Sequence, residues 1–271
     1  MMGQRISVPL MYQMIWQFKL IYMFMTLRYK DWLSEGVNVL SYHKKLDPTF
    51  WDENDHLDPK IREKLIKIAK DFFESTKFET EIIDIYFMGS MANFNYTELS
   101  DLDTHIAIDF EDVGDPELVK RIVDGDKFQW NMRHNISLRG HDVELYIQDK
   151  DEKVSSAGIY SLMKDEWVQK PTYNPPDVKD EDINPKYNSY VYDITQLEKI
   201  AKEETDVDEL KKYHDMANDI KKKLTDARKV GVKEKGEFSI ENLVFKKLRN
   251  EGFVGKLIDV KNQLYDKMFV Q

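Results

Sequence analysis

The sequence predicts an α+β fold, in which a mixed sheet with packed helices is followed by a C-terminal helical bundle. Between residues 56 and 150, short runs of β-branched and aromatic residues alternate with segments whose apolar residues recur at helical spacing. From residue 186 onward the spacing is helical throughout. A proline-rich stretch, typical of a linker, separates these two halves. Its prolines are Pro171, Pro175, Pro176 and Pro185.

The first half is predicted to contain two helices and three strands. Asp58 followed by Pro59 indicates a helix start, because aspartate caps helix N-termini and proline fits the first helical position. Asp115 followed by Pro116 indicates a second helix in the same way. Strands are predicted at residues 82–87, 101–108 and 143–147. The apolar face of the second helix is predicted to comprise Leu118, Val119, Ile122 and Val123.

The second half is predicted to contain four helices, each with an apolar stripe at helical spacing. Thr205 and Asp208 have the spacing of a capping box, which would open the second of these helices. We expect this helix to end near Gly231 and the third to stop at Gly252, because glycine commonly terminates helices. The predicted organisation is therefore an N-terminal helical extension, an α/β domain, a linker and a C-terminal helical domain. Their bounds are 1–55, 56–171, 172–185 and 186–271.

Charge and cysteine content exclude some classes of protein. The net charge of −10 divides into −12 over residues 1–185, with 22 basic and 34 acidic side chains, and +2 over residues 186–271, with 18 basic and 16 acidic ones. A uniformly basic nucleic-acid-binding protein is therefore not indicated. The absence of cysteine excludes disulfides and cysteine-based zinc sites, and it fits a cytoplasmic protein.

The N-terminal run from Ile6 to Leu27 is apolar and long enough to span a bilayer. A proline, two glutamines and a lysine interrupt it, and each of these is costly within hydrocarbon. We therefore favour a helix packed on the domain, or an extension upstream of a natural start at Met23 or Met25, over a membrane anchor. No membrane partner is expected.

Three acidic residues form the candidate chemical group. Asp101 and Asp103 alternate along a predicted strand, so their side chains emerge on the same face, about 6–7 Å apart. Carboxylates supply the hard oxygen ligands that Mg²⁺ prefers. Two such ions, about 3.5–4 Å apart, stabilise the attacking and leaving oxygens in nucleotidyl transfer. Glu144 would complete the group if the third strand pairs with the second, and Asp142, which has the same facing, is its alternative.

Gly89 and Ser90 directly follow the first predicted strand and fit the phosphate end of a nucleotide. A glycine allows the backbone to approach a phosphate without a Cβ clash. The Ser90 hydroxyl and nearby backbone N–H groups would donate to phosphate oxygens, with further help if Met91 and Ala92 begin a helix.

The order and spacing of these residues resemble a known signature. The segments Phe87-Met88-Gly89-Ser90, Asp101-Leu102-Asp103 and Val143-Glu144-Leu145 together are similar to the motifs of the DNA polymerase β-like nucleotidyltransferases. The longer run from Gly89 to His105 also resembles putative nucleotidyltransferases of tailed-phage genomes. The resemblance implies helices on one side of the sheet and a triphosphate over the glycine and serine. It also implies two bound Mg²⁺ ions, for which Mn²⁺ substitutes.

In such enzymes a helical domain closes one side of the nucleotide cleft and donates a cation to the triphosphate. Lys246, Lys247 and Arg249 on the third C-terminal helix are candidates for this role, and their spacing does not single one out. Asp101 and Asp103 are implied to bridge both metal ions. Glu144 is implied to hold the ion that activates the attacking hydroxyl, and it is also a candidate for the base that removes the hydroxyl proton.

The expected reaction is transfer of a nucleoside monophosphate from a nucleoside triphosphate, with ATP favoured, to a hydroxyl group. An RNA 3′ end or a nucleotide is the favoured acceptor. The alternatives are nucleotidylation of a protein or a small molecule, and a non-catalytic nucleotide-binding or virion module.

Several further residues have both a functional and a structural interpretation. His105 would contact a phosphate or the acceptor, but a polar strand residue bonded to a neighbour is the favoured interpretation. Trp130 would stack on a base and Arg133 would bind a phosphate, or they are a core aromatic residue and a solvated side chain. The basic stretch Lys221–Lys223, with Arg228, Lys229, Lys233 and Lys235, would contact RNA phosphates, although a solvated helix face is more common.

Overall fold

A six-stranded mixed sheet organises the first half of the protein. The computed structural model describes residues 40–154 and 156–269. The interpretations of residues 6–27 and of the two alternative start methionines lie outside these residues. Within the described ranges, no helix combines the length and the apolar character needed to cross a membrane.

The strands are arranged in the order β3-β4-β2-β1-β5-β6. Strands β2 and β4 pair in parallel, and the other neighbouring pairs are antiparallel. The three predicted strands correspond to β1, β2 and β4, with ends that differ by up to two residues from the prediction. The bounds are β1 Asp84–Met88, β2 Leu102–Ile108, β3 Ser137–Leu138, β4 His141–Asp149, β5 Ile159–Ser161 and β6 Glu166–Gln169.

Seven α-helices accompany this sheet in the described part of the chain, so the predicted α+β class is confirmed. Three of the helices belong to the first half and four form the bundle. The bounds are α1 Pro59–Thr76, α2 Phe110–Val113, α3 Pro116–Arg133, α4 Asp180–Glu203, α5 Val207–Lys235, α6 Ile240–Asn250 and α7 Phe253–Lys267.

Helices α1 and α3 begin where the aspartate–proline pairs predict. The Asp58 carboxylate accepts hydrogen bonds from the first backbone N–H groups of α1, and the Asp115 carboxylate accepts one from Leu118 of α3 at 3.0 Å. The apolar face of α3 is narrower than predicted. Val119 and Val123 are buried, but Leu118 and Ile122 are 54% and 42% exposed. The reason is that α3 packs against β4 at one side of the sheet, which covers a single row of its side chains.

Residues 40–55 belong to the predicted N-terminal helical extension, but they contain no helix. Instead Leu46, Phe50 and Trp51 are buried in the same core as the sheet. The Trp51 indole N–H donates to the backbone oxygen of Met91 at 2.8 Å. The described part of the extension is therefore a non-helical segment whose aromatic residues complete the α/β core.

Helical structure resumes at Asp180, inside the segment predicted as linker, and Pro185 lies within α4. Proline removes one backbone hydrogen bond from a helix. Three acids, Asp180, Glu181 and Asp182, occupy the first turn, where negative charge is favourable. The proline-rich composition therefore marks extended chain only as far as residue 179.

The predicted ends of α5 were wrong at both termini. The capping residue is Asp206 in place of Thr205, and its carboxylate accepts from the N–H groups of Asp208 and Glu209 at 3.1 and 3.0 Å. The helix also continues past Gly231 to Lys235. Gly231 is buried where α5 meets the start of α6, so its lack of a side chain serves close packing rather than termination.

The sheet has one covered face and one face that carries polar side chains. Apolar residues of β2 and β4, such as Ile106 and Ile147, share a single core with side chains of α1 and α3, including Phe72 and Val123. Because successive strand residues point to opposite faces, the residues between them lie on the face of the sheet opposite this core. Asp103 of β2 belongs to that second set.

Candidate active site

Asp103 and Glu144 lie side by side on the face of the sheet opposite the core that contains Ile106 and Ile147. They are paired in register across the parallel strands β2 and β4, and Met88 of β1 pairs with Asp103 from the other side. Residues paired in this way point to the same face of strands about 4.7–4.9 Å apart. Asp101 immediately precedes β2. The sheet therefore brings together the three carboxylates that the sequence singled out.

Asp142, the alternative to Glu144, lies two residues earlier in β4 and pairs with Ser137 of β3. It shares the facing of Glu144, as expected from strand alternation. The register with Asp103 nevertheless falls on Glu144. Glu144 is therefore the better placed of the two acids.

The crowding of these acids changes the acidity of Asp103. Burial, together with the negative charges of Glu144 and Asp101, raises the pKa of Asp103 from 3.8 to about 7, although the charges of Arg249 and Lys127 act in the opposite direction. A carboxyl with such a pKa carries negative charge that its surroundings do not fully compensate. A bound cation would relieve this repulsion.

Glu144 has a cationic partner of its own. The Lys127 ammonium on α3 donates to Glu144 Oε1 at 2.6 Å. Burial alone would raise the pKa of Glu144, but the charge and the hydrogen bond of Lys127, with the charge of Arg249, hold it below its usual value. Glu144 is therefore a stably ionised carboxylate.

Gly89 lies directly against Asp103. Its backbone has φ +79°, which favours glycine, and a Cβ at this position would overlap Asp103 Oδ2 and lie 2.9 Å from its Cγ. The Gly89 N–H donates to Ser156 Oγ at 3.2 Å. The glycine is therefore required by the carboxylate next to it.

Ser90 lies beside the carboxylates but begins only a three-residue 3₁₀-helix, Ser90–Ala92. The helix expected at Met91 and Ala92 is thus too short to add a useful helix dipole. The Ser90 hydroxyl donates to Ser100 Oγ at 2.9 Å. This bond joins the start and the end of the loop between β1 and β2.

The helical bundle supplies cations to this region. Arg249 Nη1 of α6 lies 4.0 Å from Asp101 Oδ2. Burial, with the charges of Arg249 and Arg228, lowers the pKa of Lys246. The charges of Glu237 and Asp103 act in the opposite direction, so Lys246 lies close enough to Asp103 to sense its charge. Lys247, the third candidate on this helix, faces elsewhere, because its ammonium donates to Asn184 Oδ1 at 3.0 Å.

Arg228 is a further cation of this group, which the sequence analysis considered only as part of a basic stretch that would contact RNA. Burial and the charge of Arg249 lower the pKa of Arg228, while Glu144 and Asp103 act in the opposite direction. Its Nε donates to Asn242 Oδ1 at 3.0 Å, and its guanidinium lies 4.4 Å over the Phe245 ring. These two contacts fix the guanidinium on the side of the bundle that faces the carboxylates.

A hydrogen bond between two side chains connects the α/β half to the helical bundle beside the site. Asn95, in the loop between β1 and β2, donates through its side-chain amide to Glu237 Oε2 at 2.7 Å. The backbone oxygen of Glu237 in turn accepts from Asn242 Nδ2 at 2.6 Å. A chain of hydrogen bonds thus runs from the sheet loop to the residue that holds Arg228.

The donor set matches the preference of hard divalent cations for carboxylate oxygens. As the side chains are placed, the described residues include no group of three or more acids or histidines positioned to hold a metal ion. The bond between Lys127 and Glu144 gives a physical reason, since it directs one oxygen of Glu144 toward α3. Asp101, Asp103 and Glu144 fit a cation in chemistry, and Glu144 would have to exchange its partner.

Three further candidates from the sequence, His105, Trp130 and Arg133, have structural roles. His105 Nδ1 is 2.8 Å from Gln148 Oε1, and the pKa of this histidine is lowered mainly by burial. Trp130 packs on Phe72 of the core and stacks on a neighbouring histidine. Arg133 donates to Gln129 within α3 at 3.3 Å, and it is exposed.

The basic run Lys221–Lys223 is exposed on α5, as expected for a solvated helix face.

Comparisons of the chain with protein-family models, with curated proteins and with solved structures found no match. The chemical interpretation therefore depends on the arrangement of the residues themselves.

Proposed function

We propose that the protein is a metal-dependent nucleotidyltransferase with a polymerase β-like core, which uses a nucleoside triphosphate, with ATP favoured. One observation carries the proposal. The register of β2 and β4 sets Asp103 beside Glu144, and cations from the bundle, of which Arg249 is 4.0 Å from Asp101, face the same carboxylates. A surface of acids opposite a surface of bases suits a ligand that combines polyphosphate with divalent cations.

The basic surface would bind the triphosphate. Lys246 and Arg249, with Arg228 behind them, would neutralise the β- and γ-phosphates, and the Gly89 backbone and Ser90 hydroxyl would lie beneath. Arginine suits this role because its planar donors match phosphate oxygens in pairs.

The acidic surface would hold two Mg²⁺ ions, or Mn²⁺ in their place, through Asp101, Asp103 and Glu144. When bound, such ions stabilise the attacking and the leaving oxygen of the transfer. The acceptor hydroxyl oxygen forms a bond to the α-phosphorus, the bond to the α–β bridging oxygen breaks, and pyrophosphate leaves. The lowered pKa of Glu144 makes it a weak base, so its part is to hold a cation, and the hydroxyl proton passes to water.

The decisive experiment is transfer of label from each α-labelled nucleoside triphosphate, with Mg²⁺ or Mn²⁺, into total cellular RNA and soluble protein. Wild type is compared with Asp103→Ala and with Asp101→Ala/Asp103→Ala, whose folding is checked by circular dichroism. We expect carboxylate-dependent label in the wild type alone. Retained transfer by a folded Asp103→Ala variant would refute the assignment.

The labelled fraction also identifies the acceptor. Label in RNA that falls steeply with salt supports the favoured RNA or nucleotide acceptor. Label in protein or in a small-molecule fraction, independent of RNA, supports the first alternative. Absence of label together with unchanged thermal stability on adding Mg²⁺ and nucleotide supports a module that neither transfers nor binds a nucleotide.

The basic surface has a matched control on the same helix. Arg249→Ala should raise the KM for the nucleotide about tenfold or more, because a hydrogen bond between charged groups contributes roughly 1.5–3 kcal/mol. Lys247→Ala removes an equal charge that is directed toward Asn184, so KM should stay near the wild-type value. Equal effects of the two substitutions would contradict a specific contact.

A further inference from the structure

Lys127 is a cation bound directly to one of the three candidate metal-binding carboxylates. Its ammonium is 2.6 Å from Glu144 Oε1, and the side chains of the lysine and the glutamate are 26% and 39% exposed. The register places Asp103 next to Glu144. The ammonium therefore contacts the third carboxylate of the group from the α3 side.

A second contact gives this ammonium an alternative position. Lys127 Nζ lies 5.3 Å from the centre of the Tyr146 ring, two residues beyond Glu144 on the same face of β4. The face of an aromatic ring attracts an ammonium group. A small rotation of the lysine side chain would release Glu144 Oε1 and keep the ammonium on the ring.

Lys120 lies seven residues, or about two helical turns, earlier on α3. It contacts the same ring without touching Glu144. Its Nζ is 4.2 Å from the centre of the Tyr146 ring and 3.4 Å from Glu152 Oε2. The chain thus contains two lysines on one helix face and one aromatic ring, and they differ in whether they contact the carboxylate. This difference provides an internal control.

We propose that Lys127 is a positioning residue that competes with a divalent cation for Glu144 and so sets the cation concentration at which the three carboxylates act together. The proposal rests on the proposed function, because it requires Asp101, Asp103 and Glu144 to bind a cation. An ammonium and a divalent cation cannot share one carboxylate oxygen without strong repulsion. Cation binding therefore moves Lys127 toward Tyr146.

The test measures Mn²⁺ binding to the full-length protein at constant pH by electron paramagnetic resonance of the free ion. Lys127→Met removes the charge and keeps the length of the side chain. We expect it to bind Mn²⁺ about five- to tenfold more tightly than wild type, as follows from the loss of one competing ion pair. Lys120→Met and Lys127→Arg should bind with wild-type affinity, because both keep a cation on Glu144.

The outcomes separate this proposal from the proposed function. If Lys127→Met binds Mn²⁺ no more tightly than wild type while Asp103→Asn loses binding, the competition is refuted and the carboxylate site stands. If no variant binds Mn²⁺, both proposals fail. Melting temperatures of all variants, measured with a chelator present, show whether a change in affinity arises from altered folding.

Discussion

Replacing Asp103 by asparagine should stabilise the protein in the absence of divalent cations, and more so as the pH rises. The substitution keeps the size of the side chain and removes its charge. In the folded protein the pKa of Asp103 is about 7, compared with a usual value of 3.8. Folding therefore favours the protonated form, and ionisation of the wild-type residue costs stability.

The sign and the pH range follow from this difference. Below pH 3.8 the carboxyl is protonated in both states and costs nothing. Between pH 3.8 and about 7 it is ionised mainly in the unfolded chain, so the cost grows by about 1.4 kcal/mol for each pH unit. Above pH 7 the cost is constant at about 4 kcal/mol.

The assay is urea unfolding of wild type and Asp103→Asn in a chelator, at pH values from 4.5 to 8. We expect the stability difference to grow with pH and to level off above pH 7. Asp109→Asn is the control of opposite sign, because a hydrogen bond from Lys150 lowers the pKa of Asp109 and that substitution should destabilise at neutral pH. A pH-independent difference for Asp103→Asn would refute the argument.

Two other predictions concern the backbone. Gly89→Ala should abolish Mn²⁺ binding and strongly lower the melting temperature, because the new Cβ overlaps the Asp103 carboxylate. Gly140→Ala is the control, because Gly140 has φ +90° and nothing within 4 Å, so the substitution introduces only backbone strain. An equal loss of stability in both variants would contradict the steric argument. Asp206→Ala should cost about 1 kcal/mol of unfolding free energy through the loss of its helix cap, and Thr205→Ala less than about 0.5 kcal/mol, which paired urea titrations would show.

The elements predicted correctly are those with strong local signals. β1 follows from the run Ile82–Phe87, and the starts of α1 and α3 follow from aspartate–proline pairs. β5 has three residues and β6 has four, which is too short for a periodic pattern to appear in the sequence. The place of β5 is decided by pairing with β1, a contact between distant parts of the chain, and β6 then pairs with β5.

The cap of α5 shows a different limit. Thr205 and Asp206 are adjacent and both are good capping residues, so the sequence alone leaves a one-residue ambiguity. Gly231 shows the same problem for helix ends, because a glycine that ends a helix and a glycine that packs closely inside one have the same local appearance. For Gly231, packing against the start of α6 decides the outcome.

The candidate site divides in the same way. The proximity of Asp101, Asp103 and Glu144 was predictable because strand alternation and a recognisable order of motifs concern local sequence. Lys127 was not selected, and Arg228 was selected only as part of a basic stretch, because each lies on a charged helix that resembles an ordinary solvated face. Only the packing of α3 beside β4, and of the bundle beside the β1–β2 loop, turns these two cations toward the acids.

At Asp103 and at Lys246, the effect of burial on the pKa outweighs the effect of the opposite charges nearby. Burial and neighbouring acids raise the pKa of Asp103 despite the nearby cations, and burial and neighbouring arginines help to lower that of Lys246 despite the nearby acids. The charged forms of Asp103 and Lys246 are therefore disfavoured, whereas Lys127 and Arg249 keep Glu144 ionised. A ligand that brings positive charge to the acids and negative charge to the bases would stabilise both disfavoured forms at once, which is why a cation–polyphosphate complex suits this site better than either ion alone.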